Sequence, residues 1–313
     1  MLDPRFTMTE SRSILTTDPS EAVDASAKGC QFVLYNGACV DLMSAMSDCM
    51  VDLFVTSPPY FMGKVYDRSY KLSDFKEDIA SLSTHCVRVV RDRGNICWQV
   101  GYHVDKSSIT PLDFAVHEVF SKVDSLVLRN RIMWQFGHGT HAKHRFSGRH
   151  ETILWYGKGE ESYFNLDAVR VPQKYPGKRH YKGPNRGEFS GNPLGKNPGD
   201  VWDIPNVKAN HCEKTAHPCQ FPIGLAQRLT RSLAPEGGLV FDPFNGSGST
   251  GIAAILDNRK YIAAELSAEY CDITMSRYDD LMSGKLSYRP HDREIYVPSE
   301  NTAVAMRPKH FIA

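Results

Sequence analysis

A glycine-rich segment between two apolar runs constrains the fold of this 313-residue chain most strongly. The run at residues 239–242 predicts a buried strand, and glycines follow at positions 246, 248 and 251 with the spacing G-x-G-x-x-G. A helical pattern at 249–256 and a second strand pattern at 261–265 come next. This order predicts a β-α-β unit in which the glycines allow a sharp turn and the helix points its N–H groups at a ligand.

The glycine spacing by itself leaves the identity of that ligand open. A dinucleotide site has the same spacing, so a nicotinamide-dependent oxidoreductase is the alternative from another class of enzyme. Asp242 and Pro243 precede the glycines, where a dinucleotide strand is usually apolar up to its turn. Glu265 ends the second strand and suits hydrogen bonds to ribose hydroxyls in either kind of site.

A second motif, Thr56-Ser57-Pro58-Pro59-Tyr60, follows an apolar run at 51–56 that predicts another buried strand. Two adjacent prolines fix an extended segment whose carbonyl groups are available to accept hydrogen bonds from an amino group. Ser57 adds a hydroxyl acceptor, and Tyr60 offers a flat face on which a base can stack. In isolation, Pro-Pro-Tyr is more typical of a rigid turn.

Together the two motifs resemble the DNA amino-methyltransferases. Those enzymes carry Ser-Pro-Pro-Tyr, or Asp/Asn-Pro-Pro-Tyr/Phe, as the catalytic tetrapeptide and Phe-x-Gly-x-Gly as the S-adenosylmethionine loop. Segments at 149–158, 199–205 and 217–222 also resemble the family, so the resemblance covers residues 32–278. The tetrapeptide precedes the cofactor loop here, as in the beta group of these enzymes, whose intervening insert recognises the target sequence.

The resemblance implies an α/β fold, a Rossmann-like S-adenosylmethionine-dependent methyltransferase sheet with helices on both faces, plus a loop-rich target-recognition insert. We expect residues 31–136 and 217–285 to form the catalytic domain and residues 137–216 to form the insert. Residues 1–30 are expected to be a flexible tail, and residues 286–313 a C-terminal tail.

The resemblance also assigns roles to individual residues. Catalysis is assigned to Ser57, Pro58, Pro59 and Tyr60. Cofactor binding is assigned to Asp242, Phe244, Asn245, Gly246, Gly248, Ser249, Thr250, Glu265, His217 and Gln220. Related enzymes have Gly-Asp before the catalytic strand, where this chain has Gly37-Ala38, so either Asp41 substitutes or the contact to the adenine amine is lost.

Within this family the Ser-Pro-Pro-Tyr variant favours cytosine N4 as the target, with adenine N6 as the alternative. A Pro-Cys-Gln segment at 218–220 resembles the nucleophile motif of cytosine-C5 methyltransferases, but there the cysteine follows the cofactor loop, so we reject Cys219 as a nucleophile. A DNA-binding protein that kept the fold and lost catalysis is a more distant alternative.

The charge is nearly balanced overall, at +1, but it is unevenly distributed. Twelve Lys and Arg stand against four acids between residues 129 and 186, which favours a face that meets a polyanion. With the family resemblance this predicts double-stranded DNA as the partner. The expected DNA contacts are Arg145, Arg149, Lys178, Arg179, Lys182 and Arg186.

Eight cysteines without a Cys-x-x-Cys pair predict reduced thiols, with neither a disulfide frame nor a metal site. No run approaches the roughly 18 apolar residues of a membrane helix. We therefore expect no membrane partner and a cytoplasmic location, in a bacterium or encoded by a phage. The resemblance leaves a cognate restriction endonuclease and a homodimer open as further partners.

Overall fold

The computed structural model describes residues 13–59, 71–105, 108–137, 139, 141–208, 210–291, 299 and 302. The strands are β1 (Ser13–Thr16), β2 (Phe32–Asn36), β3 (Val51–Thr56), β4 (Val90–Val100), β5 (Tyr102–Asp105), β6 (Ser108–Pro111), β7 (Leu126–Gln135), β8 (His150–Lys158), β9 (Val201–Asp203), β10 (Leu239–Asp242) and β11 (Lys260–Glu265). The helices are α1 (Pro19–Ala27), α2 (Cys39–Ala45), α3 (Leu72–Val89), α4 (Leu112–Phe120), α5 (Ile223–Leu233), α6 (Ser249–Leu256) and α7 (Ala268–Met282), with a short 3-10 turn at Asp167–Val169.

Nine strands form one sheet in the order β1-β2-β11-β10-β3-β4-β8-β7-β9, and β5 and β6 form a separate hairpin. Neighbouring strands are parallel except at β8, which runs antiparallel to both β4 and β7. Helices α1 to α4 pack on one face of the sheet and α5 to α7 on the other. The predicted α/β fold with helices on both faces is confirmed.

The centre of the sheet is where the chain changes direction. After β10 the chain passes through α6 to β11 on one side, whereas after β3 it passes through α3 to β4 on the other side. Strands β10 and β3 are themselves neighbours, with Val240 opposite Leu53 and Phe241 opposite Phe54. Diverging connections open a crevice beyond the carboxyl ends of such a strand pair, which is the usual ligand position in open α/β sheets.

Alternating apolar side chains join the sheet to its two helical layers. In β2, Phe32 and Leu34 belong to the core shared with α5 to α7, whereas Val33 and Tyr35 belong to the core shared with α1 to α4. Successive side chains of a strand point to opposite faces, so strands buried on both sides are apolar throughout. The buried sheet holds the residues beyond its strand ends in fixed positions.

The prediction of a flexible tail at residues 1–30 is wrong for residues 13–30. Strand β1 pairs in parallel with β2, with Ser13 opposite Phe32, and α1 follows it. The carboxylate of Asp18 caps α1 by accepting the backbone N–H of Ser20 at 2.8 Å. An edge strand of four residues needs few apolar side chains because only part of it is buried. Residues 1–12 lie outside the described part of the chain.

The predicted limits of the insert, 137–216, are also wrong, because this range contains two strands of the main sheet. Strand β8 lies between β4 and β7, and its side chains are buried on both faces, Ile153 on one and Leu154 on the other. Strand β9 pairs with β7. Within the predicted insert, the described residues without long regular elements are therefore those in the ranges 137–149, 159–200 and 204–216.

The C-terminal tail predicted from residue 286 begins later than expected. Leu286 and Tyr288 pack against the core beside α5 to α7, and the backbone N–H of Arg289 donates to the carboxylate of Glu213 at 3.0 Å. Residues 286–291 are therefore part of the packed domain. Among the described residues, no helix is both long enough and apolar enough to cross a membrane, and no cluster of His, Cys, Asp and Glu could hold a metal ion.

Candidate cofactor and substrate site

A cavity of about 350 Å³ opens at the carboxyl edge of the sheet, where the chain diverges from β10 and β3. Its wall comprises residues that follow β2, β3, β10 and β11, together with the segment 217–221. Most of the predicted site residues meet there: Ser57, Pro58, Pro59, His217, Gln220, Phe244, Asn245, Gly246, Ser249 and Glu265. The two sequence motifs, far apart in the chain, thus form one site.

The glycine loop needs glycine for two different steric reasons. Gly246 has φ +56° and Gly248 has φ +76°, both in the left-handed region that favours glycine. A Cβ on Gly246 would lie 3.1 Å from Nε2 of His217, and one on Gly248 would lie 2.7 Å from Cγ2 of Thr274. The loop therefore packs closely against His217 at one glycine and against α7 at the other.

The carboxylate of Glu265 joins the end of β11 to the glycine loop. One oxygen accepts the backbone N–H of Gly246 at 2.7 Å, and the other accepts that of Ser267 at 2.9 Å. The side chain is only partly buried and lies on the cavity wall. A carboxylate fixed at the end of this strand is the group that bonds ribose hydroxyls in nucleotide sites of similar topology.

Asp242 lies behind the loop and not on the cavity wall. Its carboxylate accepts the backbone N–H of Phe244 at 3.0 Å and the hydroxyl of Thr250 at 2.8 Å. Burial raises the pKa of Asp242 to about 7. Thr250 and Gly248 are likewise absent from the wall, so these three predicted cofactor residues are placed to hold the loop in shape.

A second buried network supports the loop from α7. The amide of Asn245 donates to the hydroxyl of Thr274 at 2.8 Å, and its oxygen accepts the hydroxyl of Tyr261 at 3.0 Å. The guanidinium of Arg277 donates to the backbone carbonyl of Ser247, and burial lowers the pKa of Arg277 to about 10. Arg277 was not predicted from the sequence, because nothing near it in the chain indicates a partner on a loop thirty residues earlier.

The segment that contains His217 and Gln220 is held by its own hydrogen bonds. The side-chain oxygen of Gln220 accepts the hydroxyl of Thr215 at 2.9 Å, and its nitrogen donates to the carbonyl of Glu213 at 2.7 Å. The carboxylate of Glu213 in turn accepts the backbone N–H of Ile223, the first residue of α5, at 2.8 Å. Gln220 thus shapes the wall, while its amide is already engaged within the segment.

Several wall residues were not predicted from the sequence. Leu266 is 74% exposed although it is apolar, and it directly follows Glu265 on the wall. The ring of Tyr270 packs against His217 with centroids 4.6 Å apart. An exposed apolar side chain next to a carboxylate at this strand end suits the flat face of an adenine ring, and its position directly after Glu265 was the available signal.

The structure also bears on the missing Gly-Asp pair before the catalytic strand. Ala38 lies on the wall, whereas Asp41 is exposed in the first turn of α2 and does not line the cavity. The described geometry therefore offers no substitute carboxylate at Asp41.

The tetrapeptide begins where β3 ends. Thr56 pairs with Trp98 of β4, so the next residue, Ser57, lies at the carboxyl edge of the sheet. Ser57 is partly buried, Pro58 is buried and Pro59 is exposed, and all three line the cavity. Tyr60, predicted to stack on the base, lies outside the described residues.

The six predicted DNA contacts do not line this cavity. Arg145 and Arg149 line a second cavity of about 450 Å³ that also includes Glu151. The carboxyl of Glu151 accepts the side-chain amide of Gln99, and burial raises the pKa of Glu151 to about 7. The other four residues lie on an exposed hairpin within the range 159–200. They are Lys178, Arg179, Lys182 and Arg186.

Comparison with known proteins identifies the class of enzyme. The family model for DNA methylases of the N6 and N4 type matches residues 51–276. The chain is 44% identical to the type II methyltransferase M.BglII of Bacillus subtilis, over 77% of this chain and 67% of that protein. It is 33% identical to the type II methyltransferase M.ScaI of Streptomyces caespitosus, over 79% of this chain and 81% of that protein. It is 30% identical to the DNA adenine methyltransferase YhdJ of Escherichia coli K12, over 73% of this chain and 76% of that protein.

Solved structures with the same fold include the PvuII cytosine-N4-specific DNA methyltransferase, with a TM-score of 0.63 and 19% identity over 77% of this chain and 84% of that one. The DNA modification methylase TTHA0409 of Thermus thermophilus, complexed with S-adenosyl-L-methionine, has a TM-score of 0.58 and 22% identity over 80% and 96%.

These matches agree with the site. The loop formed by Gly246 and Gly248, the carboxylate of Glu265 and the apolar Leu266 suit a nucleoside cofactor, and that cofactor is S-adenosylmethionine. The nicotinamide-dependent oxidoreductase is thereby removed as an alternative. The chain belongs to the family of S-adenosylmethionine-dependent DNA methylases that act on exocyclic amines of N6 and N4 type.

Proposed function

We propose that this protein transfers a methyl group from S-adenosylmethionine to the N4 amine of cytosine in double-stranded DNA. The observation that carries the proposal is the position of Ser57, a neutral hydroxyl between β3 and two prolines, on the wall of the cofactor cavity. Related enzymes with an acidic residue at this position would present a carboxylate to the same amine.

The protein has to align and polarise the amine. An exocyclic amine is a poor nucleophile because its lone pair is delocalised into the ring, whereas bound S-adenosylmethionine supplies an already activated sulfonium methyl group. The hydroxyl of Ser57 and the carbonyl of Pro58 accept the two amine hydrogens and draw the nitrogen toward tetrahedral geometry. Alignment of the reacting atoms then supplies most of the acceleration, and the proton leaves to solvent.

The target base has to leave the duplex to reach this wall. Flipping costs a few kcal/mol of stacking and pairing, which contacts in the pocket recover. Tyr60 is proposed to stack on the flipped base, with Pro59 beside it. The residues of the glycine loop and Glu265, which line the same cavity, are proposed to hold the cofactor.

Adenine N6 is the second candidate, because one relative at 30% identity is named a DNA adenine methyltransferase. A serine hydroxyl and a carboxylate at position 57 polarise the amine to different extents, and we take the hydroxyl to favour the cytosine amine.

The names of the type II relatives also suggest a cognate restriction endonuclease, and we expect both proteins to act in the cytoplasm. A homodimer is a further expectation that analytical ultracentrifugation would test.

Incubation with unmethylated bacterial DNA and S-adenosylmethionine, followed by nucleoside digestion and mass spectrometry, tests the proposal. N4-methyldeoxycytidine is the expected product. N6-methyldeoxyadenosine would retain the enzyme class and contradict the argument from serine. The absence of any methylated base, with cofactor binding intact, would favour a DNA-binding protein without catalysis.

The role of Ser57 is tested by substitution. Ser57→Ala should lower kcat by about a hundredfold, because one of two acceptors for the amine is lost, while the Kd for S-adenosylmethionine stays within about twofold. Ser108→Ala, at an exposed position on β6, is the matched control. Unchanged turnover in Ser57→Ala would contradict the assignment.

A further inference from the structure

We propose that residues 171–196 form a DNA-reading arm, which enters a groove of the duplex and places Tyr181, at its tip, against the bases. This inference rests on the proposed function, because it takes double-stranded DNA as the substrate. It goes further in naming which part of the loop-rich region reads the sequence and which side chain makes the base contact.

The arm is a hydrogen-bonded hairpin and not a loose loop. At its root, the backbone groups of Val171 and Lys196 exchange two hydrogen bonds, at 3.0 and 2.9 Å. Further out, the N–H of Ser190 donates to the carbonyl of Lys178 at 2.9 Å, and Arg179 forms a bridge with Phe189. Pairing at both levels fixes the direction of the arm, so its tip is presented at a defined position.

Nearly all of the arm is exposed. Every residue from 174 to 190 is exposed, and the tip residue Tyr181 is 89% exposed. Tyr175 and Phe189 add two more exposed aromatic rings, at 65% and 60%. A hairpin that projects this many side chains buries almost no apolar surface on the rest of the molecule, so packing against the domain does not account for its exposed aromatic rings.

The charge of the arm identifies the partner. Residues 174–190 contain five cations, Lys174, Lys178, Arg179, Lys182 and Arg186, and one acid, Glu188. Cations interleaved with aromatic rings are typical of nucleic-acid surfaces, where cations neutralise phosphates and rings contact bases. The major groove of B-DNA is about 12 Å wide and admits a two-stranded ribbon, which is the form of this arm.

Three of the five cations of the arm lie toward its tip and differ in their contacts. The guanidinium of Arg179 lies 4.0 Å from the ring centroid of Phe189 and donates to the carbonyl of Gly187 at 2.6 Å. Arg179 is therefore a positioning residue that stiffens the tip. Lys182 and Arg186 make no side-chain hydrogen bond or ion pair within the described residues, and they follow Tyr181 in the turn at the tip. We therefore assign the phosphate contacts beside the base contact to these two residues.

The experiment measures DNA binding and methylation separately. Fluorescence anisotropy with a duplex of about 30 base pairs, over a range of KCl concentrations, gives the affinity and its salt dependence without any need for catalysis. Sequencing of methylated positions in bacterial DNA gives the set of sites. The variants are Tyr181→Ala and the double variant Lys182→Ala/Arg186→Ala, and the matched control Lys28→Ala/Lys122→Ala removes two exposed charges outside the arm.

The double variant should bind every duplex more weakly, with the slope of log K against log salt reduced by about 2. For unmethylated duplexes that contain a sequence the wild type methylates, Tyr181→Ala should lose about tenfold or more in affinity. The same variant should methylate a wider set of sequences than the wild type. The control should match the wild type in both assays. All variants should keep the Kd for S-adenosylmethionine, since the arm does not line the cofactor cavity.

Wild-type affinity and an unchanged set of sites in both arm variants would overturn the inference. That result differs from failure of the proposed function, in which the wild type methylates no cytosine. Because binding is measured on its own, loss of DNA affinity in the arm variants supports the arm as the DNA contact even in that case.

Discussion

Two carboxylates in the cofactor loop have different environments and therefore different uses. Asp242 is buried, and both of its oxygens bond groups of the loop itself, Phe244 and Thr250. Glu265 bonds the backbone at Gly246 yet remains on the cavity wall. Asp242 therefore shapes the loop, whereas Glu265 remains available to a ligand. Motif matching alone treats both as cofactor contacts, since exposure is a property of the fold.

The distinction predicts the effect of Glu265→Gln. The amide oxygen can still accept the N–H of Gly246, but the amide nitrogen cannot accept the N–H of Ser267, so the melting temperature should fall as well. The loss of charge should weaken hydrogen bonds to ribose hydroxyls and raise the Kd for S-adenosylmethionine by about tenfold. Isothermal titration calorimetry measures the Kd. Asp41→Asn is the matched control, because Asp41 does not line the cavity, and an equal loss of affinity in that variant would contradict the geometry.

At the scale of elements, the turn from β10 into α6 is where backbone geometry and packing coincide. Gly248 is the residue before α6, in a left-handed conformation, and Thr274 of α7 lies directly over it. The hydroxyl of Thr274 also accepts the amide of Asn245. Helix α7 therefore fixes the loop through contacts on both sides of the turn.

Gly248→Ala should lower the free energy of unfolding by about 1–3 kcal/mol, because a left-handed alanine is strained and its Cβ meets Cγ2 of Thr274. Gly159→Ala is the matched control, since Gly159 has φ +85° with open space around it, and it should cost about 1 kcal/mol. Thr274→Ser retains the hydroxyl and removes the methyl group. Combined with Gly248→Ala, it should therefore recover the steric part of the free energy of unfolding that Gly248→Ala loses. Urea unfolding measures all three, and no recovery would contradict the steric argument.

An element could be predicted from the sequence where the residues that determine it lie close together in the chain. Strands β3 and β10 were predicted because apolar runs end at prolines or glycines that mark the turn. Strand β1 was missed because its residues are apolar only at Ile14 and Leu15 and its partner is elsewhere in the chain. Strand β8 was placed in the insert because dense cations surround it in the sequence. The hydrogen bond from Arg277 to the backbone of Ser247 joins segments that are distant in the chain, so no local sequence pattern predicts it.

For the whole molecule, one buried and one partly buried carboxyl make stability depend on pH. Burial raises the pKa of Asp242 and of Glu151 to about 7, from ordinary values of 3.8 and 4.5. The folded state therefore keeps protons that the unfolded chain releases. The resulting stabilisation is fully present below about pH 4 and is lost as the pH rises through 7.

Glu151→Gln should remove one of these two contributions. The variant should match the wild type in free energy of unfolding at pH 4 and exceed it by about 2 kcal/mol at pH 8, because glutamine carries no charge to bury. Urea unfolding at both values measures this. Glu160→Gln, at an exposed position beyond the other end of β8, is the matched control. A stability gain that is equal at both pH values would contradict the assignment to Glu151.

The order of strands in the sheet also governs how the protein is made. Strands β2 and β3 are synthesised early, yet β10 and β11 separate them in the finished sheet. A ribosome must translate as far as residue 265 before the gap is filled. Until then, β2 and β3 each present an unpaired edge, which is a surface prone to association with other chains. Premature termination before residue 239 would yield an aggregation-prone fragment, because the central strands arrive last.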